Sequence, residues 1–289
     1  MKLIRLLGLC LVLGVSGAQA KKEVHERVKA PSDGEVEIEN IAGSIQVEGW
    51  SQKAVEVTGS IGDDLELIVE NKGDRTVVLV KYPERRDTRH QHAEISVRVP
   101  VASEVYIEAV SADVEGHSLS GPVSVETISG SVEMDIQSKD ADIESVSGDI
   151  ELRATKAEIQ VEAVSGDVEI HLQEGNVDAE TVSGDVQVIA GKLQGGDVQS
   201  VSGDIAFNVS LAGGCRLDIE SHSGDIDLAL PSDSSVKIDL EAYSGDLHNR
   251  LGADQVGGDG RRELDLRMGS GDGRVEITTF SGDIELRAK

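Results

Sequence analysis

Polar and apolar residues alternate with a period of two along most of this chain, the pattern of half-buried β-strands. Asp149-Ile150-Glu151-Leu152 alternates, a short turn passes through Arg153-Ala154-Thr155-Lys156, and Glu158-Ile159-Gln160-Val161-Glu162-Ala163 alternates again. Val164-Ser165-Gly166 then turns a corner, and the pattern restarts with Val168 and Ile170, then Val177 and Ala179. The corner is a recurring Ser-Gly-Asp with apolar or aromatic flanks, centred on Gly148, Gly166, Gly184, Gly203, Gly224, Gly245 and Gly282. Degenerate copies, Ile128-Ser129-Gly130-Ser131-Val132 and Val110-Ser111-Ala112-Asp113-Val114, precede them. The spacing is 18 residues from Ala112 to Gly184, then 19, 21 and 21.

A fixed period of this length predicts a solenoid in which each repeat is one coil. Two short strands per coil, stacked coil on coil, would form parallel sheets around one apolar interior, wound right-handed by the usual crossover preference. A plain antiparallel meander competes for short, turn-rich strands, but its hairpins need not repeat one tripeptide at every second turn. The corner glycine has a structural reason, because a strand corner calls for positive φ or close backbone approach. Ser and Asp on either side can hydrogen-bond the turn amides.

The flanks are less regular. Residues 21–105 lack the 18-residue period but stay strand-like, as in Glu35-Val36-Glu37-Ile38-Glu39 and Ser44-Ile45-Gln46-Val47-Glu48. They are expected to form the first coils and an N-terminal β cap over the open end. Residues 106–289 form the repeat solenoid, in one continuous domain of about 35–288. Gly245 to Gly282 is read as an irregular extra coil or hairpin, with a Gly-rich loop from Gly252 to Gly260 and a further Ser270-Gly271-Asp272. Helix is nearly absent from the pattern.

Residues 1–20 read as a secretory signal: Lys2 and Arg5, a short apolar run from Leu6 to Val15, and the small-x-small site Ala18-Gln19-Ala20. At roughly ten residues that run is too short to span a bilayer. Cys10 lies inside it with Leu9 where a lipoprotein would need a small residue, so a mature start at Lys21 is expected. The product should be soluble and exported, to the periplasm or the cell surface. Cleavage leaves Cys215 alone, so no intrachain disulfide is possible, and its strand parity with Leu217 and Ile219 points it inward as an inert thiol.

Charge narrows the partners. Removing Lys2 and Arg5 from 27 basic residues leaves 25 against 54 acidic ones, a net charge of −29. That argues against nucleic acid and anionic lipid surfaces. Aromatic residues make up 2% of the chain, which argues against an aromatic-lined sugar groove or stacking platform.

The opening Ile38-Glu39-Asn40-Ile41-Ala42-Gly43-Ser44-Ile45-Gln46-Val47-Glu48-Gly49-Trp50, the serial Val-Ser-Gly-Asp corners, and Gly269-Ser270-Gly271-Asp272-Gly273-Arg274-Val275-Glu276-Ile277 before Phe280-Ser281-Gly282-Asp283 carry a resemblance. Together they resemble the bacterial envelope proteins grouped as "putative adhesins" with a domain of unknown function. The resemblance covers about residues 35–288. It implies a β-solenoid fold and an exported location, and supplies no catalytic residues. The chain departs from the pattern at Ala112 and Ser131.

Stacking turns each repeat position into a row. Glu126, Glu144, Glu162, Glu180, Gln199, Glu220 and Glu241 precede the corner glycine by four residues. Asp149, Asp167, Asp185, Asp204, Asp225 and Asp246 follow it by one, and Glu133, Glu151, Glu169 and Gln187 by three. Row neighbours would stand about 4.8 Å apart. Two unit charges at that distance repel by about 0.9 kcal/mol even in bulk water. Either screening tolerates this, or a divalent cation such as Ca²⁺ offsets it. The Gly-Gly-x-Gly-x-Asp nonapeptide of calcium-binding β-rolls is missing, and a solvated acidic face is the plainer reading.

Other chemistry is sparse. His90-x-His92 lies in a charged segment without an evident third metal ligand, and Glu84-Arg85-Arg86-Asp87 beside it reads as a charged loop. The coils carry no Lys/Arg row, with Arg153, Lys156 and Lys192 scattered over turns. No nucleophile elbow, Cys-His pair, Walker loop or zinc-protease helix occurs. No catalytic, cofactor-binding or metal residue is therefore assigned. The sequence reads as an exported, non-enzymatic β-solenoid, an adhesin or envelope scaffold protein whose partner is an envelope protein or glycan. The alternatives are an enzyme acting on envelope polysaccharide and a divalent-cation-binding structural module.

Overall fold

The computed structural model describes residues 21–83, 92–259 and 262–289. The signal-like segment, Glu84 to Gln91 including His90, and residues 260–261 lie outside the described residues. Among the described residues all regular structure is β. The twenty-one strands of the described residues join one continuous sheet wound around an apolar interior.

The N-terminal part comprises β1 (Lys21–Lys29), β2 (Glu35–Trp50), β3 (Ala54–Gly62), β4 (Glu66–Asn71), β5 (Arg75–Lys81) and β6 (Ala93–Pro100). β5 and β6 lie parallel along one edge of β2, and β7 (Glu104–His117) lies parallel along the other. β2 is therefore an inner coil, although it comes first of the three in sequence. The chain leaves it, runs outward through β3 and β4, returns as β5 and β6, and crosses over to start the stack with β7. β1 pairs antiparallel with β3, β3 with β6, and β4 with β5. These antiparallel strands end the parallel stack.

One charge is buried in this end. Glu56 is 6% exposed. It binds Arg98, with His25 Nε2 at 3.2 Å and Arg27 at 3.7 Å. The Arg27 and Arg98 guanidinium groups also stand over the Trp50 ring, at 5.2 and 4.5 Å respectively.

The regular stack continues through β8 (Val123–Ser129), β9 (Val132–Ile136), β10 (Asp140–Ser147), β11 (Ile150–Ser165), β12 (Val168–Ser183), β13 (Val186–Ser202), β14 (Ile205–Ser223) and β15 (Ile226–Leu230). All pair in parallel, with Ser129, Ser147, Ser165, Ser183, Ser202 and Ser223 in register. The expected parallel β-solenoid is thus observed. In β11 to β14 the two strand segments of a coil run together as single strands of 16 to 19 residues. Inward positions carry Val, Ile, Leu and Ala, such as Ile150, Leu152, Ile159 and Val161, each at most 2% exposed. Phe207 is the largest fully buried side chain.

The C-terminal end repeats the device of the N-terminal one, with β16 (Val236–Ser244), β17 (Leu247–Arg250), β18 (Asp254–Gly257), β19 (Glu263–Met268), β20 (Gly273–Ser281) and β21 (Ile284–Ala288). β20 inserts between β14 and β16, and β21 between β15 and β17. β19 and β18 then pair antiparallel outward from β16. Spatial order therefore departs from sequence order: Gly224 is followed by Gly282 and only then by Gly245. The apparent spacing of 21 from Gly224 to Gly245 is not a neighbouring step.

Cys215 points inward as its parity requires, 1% exposed, and burial pushes its thiol up to about 11. A thiol-specific chromogenic reagent at pH 8 is expected to label it only as the fold opens. Stoichiometric labelling of the native protein within minutes would show the thiol to be accessible.

Candidate binding groove

Each corner is built from backbone. The amide of one corner Gly donates to the Ser carbonyl of the next coil, as Gly166 does to Ser183 at 3.2 Å. The Asp side chain completes the corner: Asp149 Oδ1 accepts the Asp167 amide at 3.0 Å, and Asp167 Oδ1 accepts that of Asp185 at 2.9 Å. The ladder continues through Asp204, Asp225, Asp283 and Asp246 at 2.8 Å per step. At the degenerate corner Asp113 accepts from both the amide and the hydroxyl of Ser131 at 3.0 Å. Like charges are tolerated in this row because each of these carboxylates except that of the terminal Asp246 gains a charge-assisted hydrogen bond from the neighbouring coil.

The row three residues beyond the glycine is neutralised in another way. Arg153 bridges Glu151 and Glu133, and His171 Nε2 lies 2.6 Å from Glu169 Oε1. Glu151, Glu169 and His171 offer ligand atoms within 4.8 Å of one another. The sequence reading overlooked His171; the clue is that it shares a row with Arg153, two residues beyond the Glu row. His92, in contrast, is not part of this cluster.

The third row differs from both. Glu108, Glu126, Glu144, Glu162, Glu180 and Glu220 form no ion pair among the described residues. Burial and the neighbouring Glu126 and Glu162 hold the Glu144 carboxyl above the usual range. At the N-terminal end burial and Glu108 do the same to Glu39. A carboxyl with a raised folded-state pKa favours the fold as pH falls through the carboxylate range and opposes it at neutral pH. Glu144→Gln is therefore expected to raise the melting temperature by about 1 °C at pH 7 and low salt, with the gain shrinking at high salt. A lowered melting temperature would contradict row repulsion.

Beside this row runs an exposed apolar ridge. In spatial order it comprises Ile41, Val110, Ile128, Val146, Val164, Val182, Val201, His222, Phe280 and Tyr243; its apolar and aromatic members, His222 aside, are 42–54% exposed. The ridge arises because Val161 and Ala163 point inward, which turns Val164 outward just before the corner. The Glu row and the ridge bound one groove of about 890 Å³ that follows the stack from Glu39 and Ile41 to Tyr243 and Phe280. On its other side the ridge is followed by the exposed Asp corners.

Between Glu row and ridge the first coil places Asn40 and the later ones a small residue: Ala109, Thr127, Ser145, Ala163, Thr181, Ser200, Ser221, Thr279 and Ala242. These point inward beneath the corner, where little space remains. Ser145 Oγ reaches the Gly148 carbonyl at 3.4 Å, while the hydroxyls of Thr127, Thr181, Ser200, Ser221 and Thr279 find no partner among the described residues.

The groove ends on aromatic rings. His222 and Phe280 stack at 5.0 Å between centroids and 5° between planes, and Tyr243 follows Phe280 at 5.9 Å. The low aromatic content had argued against such a platform. Insertion of β20 between β14 and β16 assembles it from residues far apart in sequence.

These features define a class: an all-β solenoid with antiparallel ends and one long corner groove. The Toastrack DUF4097 family model matches residues 71–212 and 190–287, so the chain belongs to that family. No relative with a curated description matches it. Among solved structures it is similar to a "putative adhesin" from Bacteroides fragilis at 12% identity, covering 93% of this chain and 98% of that one with a TM-score of 0.45. A "putative adhesin" from Parabacteroides distasonis is 12% identical, with 91% and 97% covered and a TM-score of 0.46. A "putative lipid binding protein" from the same species is 13% identical, with 92% and 96% covered and a TM-score of 0.41.

Proposed function

We propose that this protein is an exported, non-enzymatic, adhesin-like binding protein that holds an elongated partner of the envelope or extracellular space along the corner groove. The observation that carries this reading is the ridge. A row of half-exposed Val, Ile and aromatic side chains that recurs at the same position in successive coils is a contiguous exposed apolar patch, the kind of surface that marks a contact site. Its constancy from coil to coil suits a long contact rather than a compact ligand.

The groove supports binding better than catalysis. Its lining contains a run of like carboxylates and no Lys or Arg, whereas acid–base work calls for two groups held in contrasting environments. Its Ser and Thr hydroxyls, apart from that of Thr278 in the Glu row, are turned beneath the corner. Export rests on the N-terminal signal pattern. Among the described residues no helix is long and apolar enough to cross a membrane.

The test is sedimentation of residues 21–289 with an envelope fraction from the producing cells, comparing wild type with the Val146→Thr, Val164→Thr, Val182→Thr triple variant. Thr keeps the β-branched shape and removes the apolar surface. Loss of co-sedimentation in the variant is expected. Equal co-sedimentation by both proteins, or none by wild type, would overturn the reading.

A further inference from the structure

The reading above leaves the partner's chemistry open, and the inference here rests on it. We infer that the groove receives a basic amphipathic α-helix of a partner polypeptide, laid along the solenoid axis. Three features select this occupant: charge on both sides of the ridge, the spacing of the rungs, and the chemistry of its aromatic end.

Charge excludes two simpler occupants. The ridge is flanked by the Glu162 row on one side and the Asp167 row on the other. A second copy seated ridge to ridge would press unpaired Glu rows together, and an anionic lipid surface would meet the same repulsion. A cationic partner removes it. Of the three acidic rows described above, the one lining this groove forms no ion pair from Glu108 to Glu220 among the described residues, whereas Arg153 and His171 serve the Glu151 row and backbone amides serve the Asp row.

Spacing selects the conformation. Successive rungs of a β stack lie about 4.8 Å apart. An extended strand running along the axis places side chains on one face every ~6.8 Å, and it crosses the coil strands at right angles, so it cannot join their hydrogen-bond ladder. An α-helix advances about 5.4 Å per turn and offers one side chain per turn in each of several adjacent rows. Its apolar stripe can follow the ridge while Lys or Arg on both borders reach the Glu and Asp rows, the anchor pattern of helix-in-groove recognition. Nine steps between ten rungs span about 43 Å, the length of a helix of roughly 29 residues.

The aromatic end suits the same ligand. The exposed His222–Phe280–Tyr243 stack stands beside Glu220, so a Lys or Arg there pairs with a carboxylate while its methylene stem packs along the ring edges.

The test uses fluorescent 28-residue peptides made only of Leu and Lys, at concentrations where they are monomeric, titrated with residues 21–289. One peptide spaces Leu at helical intervals. Its isomer of equal composition alternates Leu and Lys and favours a strand. Binding of the helical peptide about tenfold tighter than its isomer is expected, with about a tenfold loss in the ridge triple variant. The Glu144→Gln, Glu162→Gln, Glu180→Gln variant should also bind more weakly and show a shallower salt dependence. Equal affinity for both isomers, or helical-peptide binding indifferent to both triple variants, would overturn the inference. If the envelope fraction still requires the ridge in that event, the helix assignment fails and the proposed function stands. If neither probe depends on the ridge, both fail.

Discussion

Gly184→Ala is expected to destabilise the fold by about 3 kcal/mol or more, enough to leave much of the chain unfolded or aggregated at 37 °C. Gly184 has φ +143°, and a Cβ there would lie 2.1 Å from the Gly166 carbonyl oxygen. Neither atom can yield, because the Gly166 amide donates to the Ser183 carbonyl while the flanking Ser165 and Asp167 carbonyls accept from the Gly148 and Ile150 amides of the preceding coil. Urea unfolding followed by far-ultraviolet circular dichroism measures the cost. Gly213 is the control: a Cβ there would meet nothing within 4 Å, so Gly213→Ala should stay within about 0.5 kcal/mol of wild type. Equal effects of the two substitutions would show that the corner backbones do not approach as closely as described.

The second large effect separates whole coils from half coils. Deleting 149–166 joins Gly148 to Asp167 and restores a Ser-Gly-Asp-Val corner. Since Ser147, Ser165 and Ser183 share one register, the shortened stack should close with its rows intact. A cooperative melt lowered by only a few degrees is expected, because a solenoid's stability is close to a sum of coil and interface contributions. Deleting 149–157 instead removes the segment Ile150–Ala154 and leaves Val132–Ile136 and Val168–Leu172 without the strand between them. Loss of any cooperative transition is expected there. Thermal denaturation of both deletions distinguishes these outcomes, and similar melts would contradict a coil-by-coil architecture.

Local repetition made the middle of the fold legible. The alternation in Glu158 to Ala163 placed Ile159 and Val161 inside, and the fixed interval between corner glycines implied parallel stacking. The ends were not legible, because their order is non-local. Nothing near Val36 says that Thr76 and Val105 will lie on its two sides, nor does anything near Ile277 announce Ile219 and Leu240. The aromatic stack was missed for the same reason, since Phe280 meets His222 at a sequence separation of 58, the separation also seen in the Asp283–Asp225 bond.

The groove was half legible. Its Glu row was visible as repeated like charge, but the rows with remedies could not be told from the row without one. Asp149 is satisfied by a backbone amide, which no pattern of side chains reveals, while Arg153 had seemed scattered over the turns and His171 had been overlooked. The ridge had a usable signal. Val164 follows Ala163, so both cannot face inward on one strand, and the outward one recurs in every coil. Read as flanks of the turn, these residues had seemed part of the corner's own construction.

The most direct measurement of the central claim is photo-crosslinking from the protein in its own cells. A photoreactive amino acid is placed at Val164 on the ridge or at Lys156 on the other turn of the same coil, whose side chain is 67% exposed. Partner adducts from position 164 and none from position 156 are expected. Adducts of equal yield from both, or from position 156 alone, would contradict the assignment of the ridge as the contact surface.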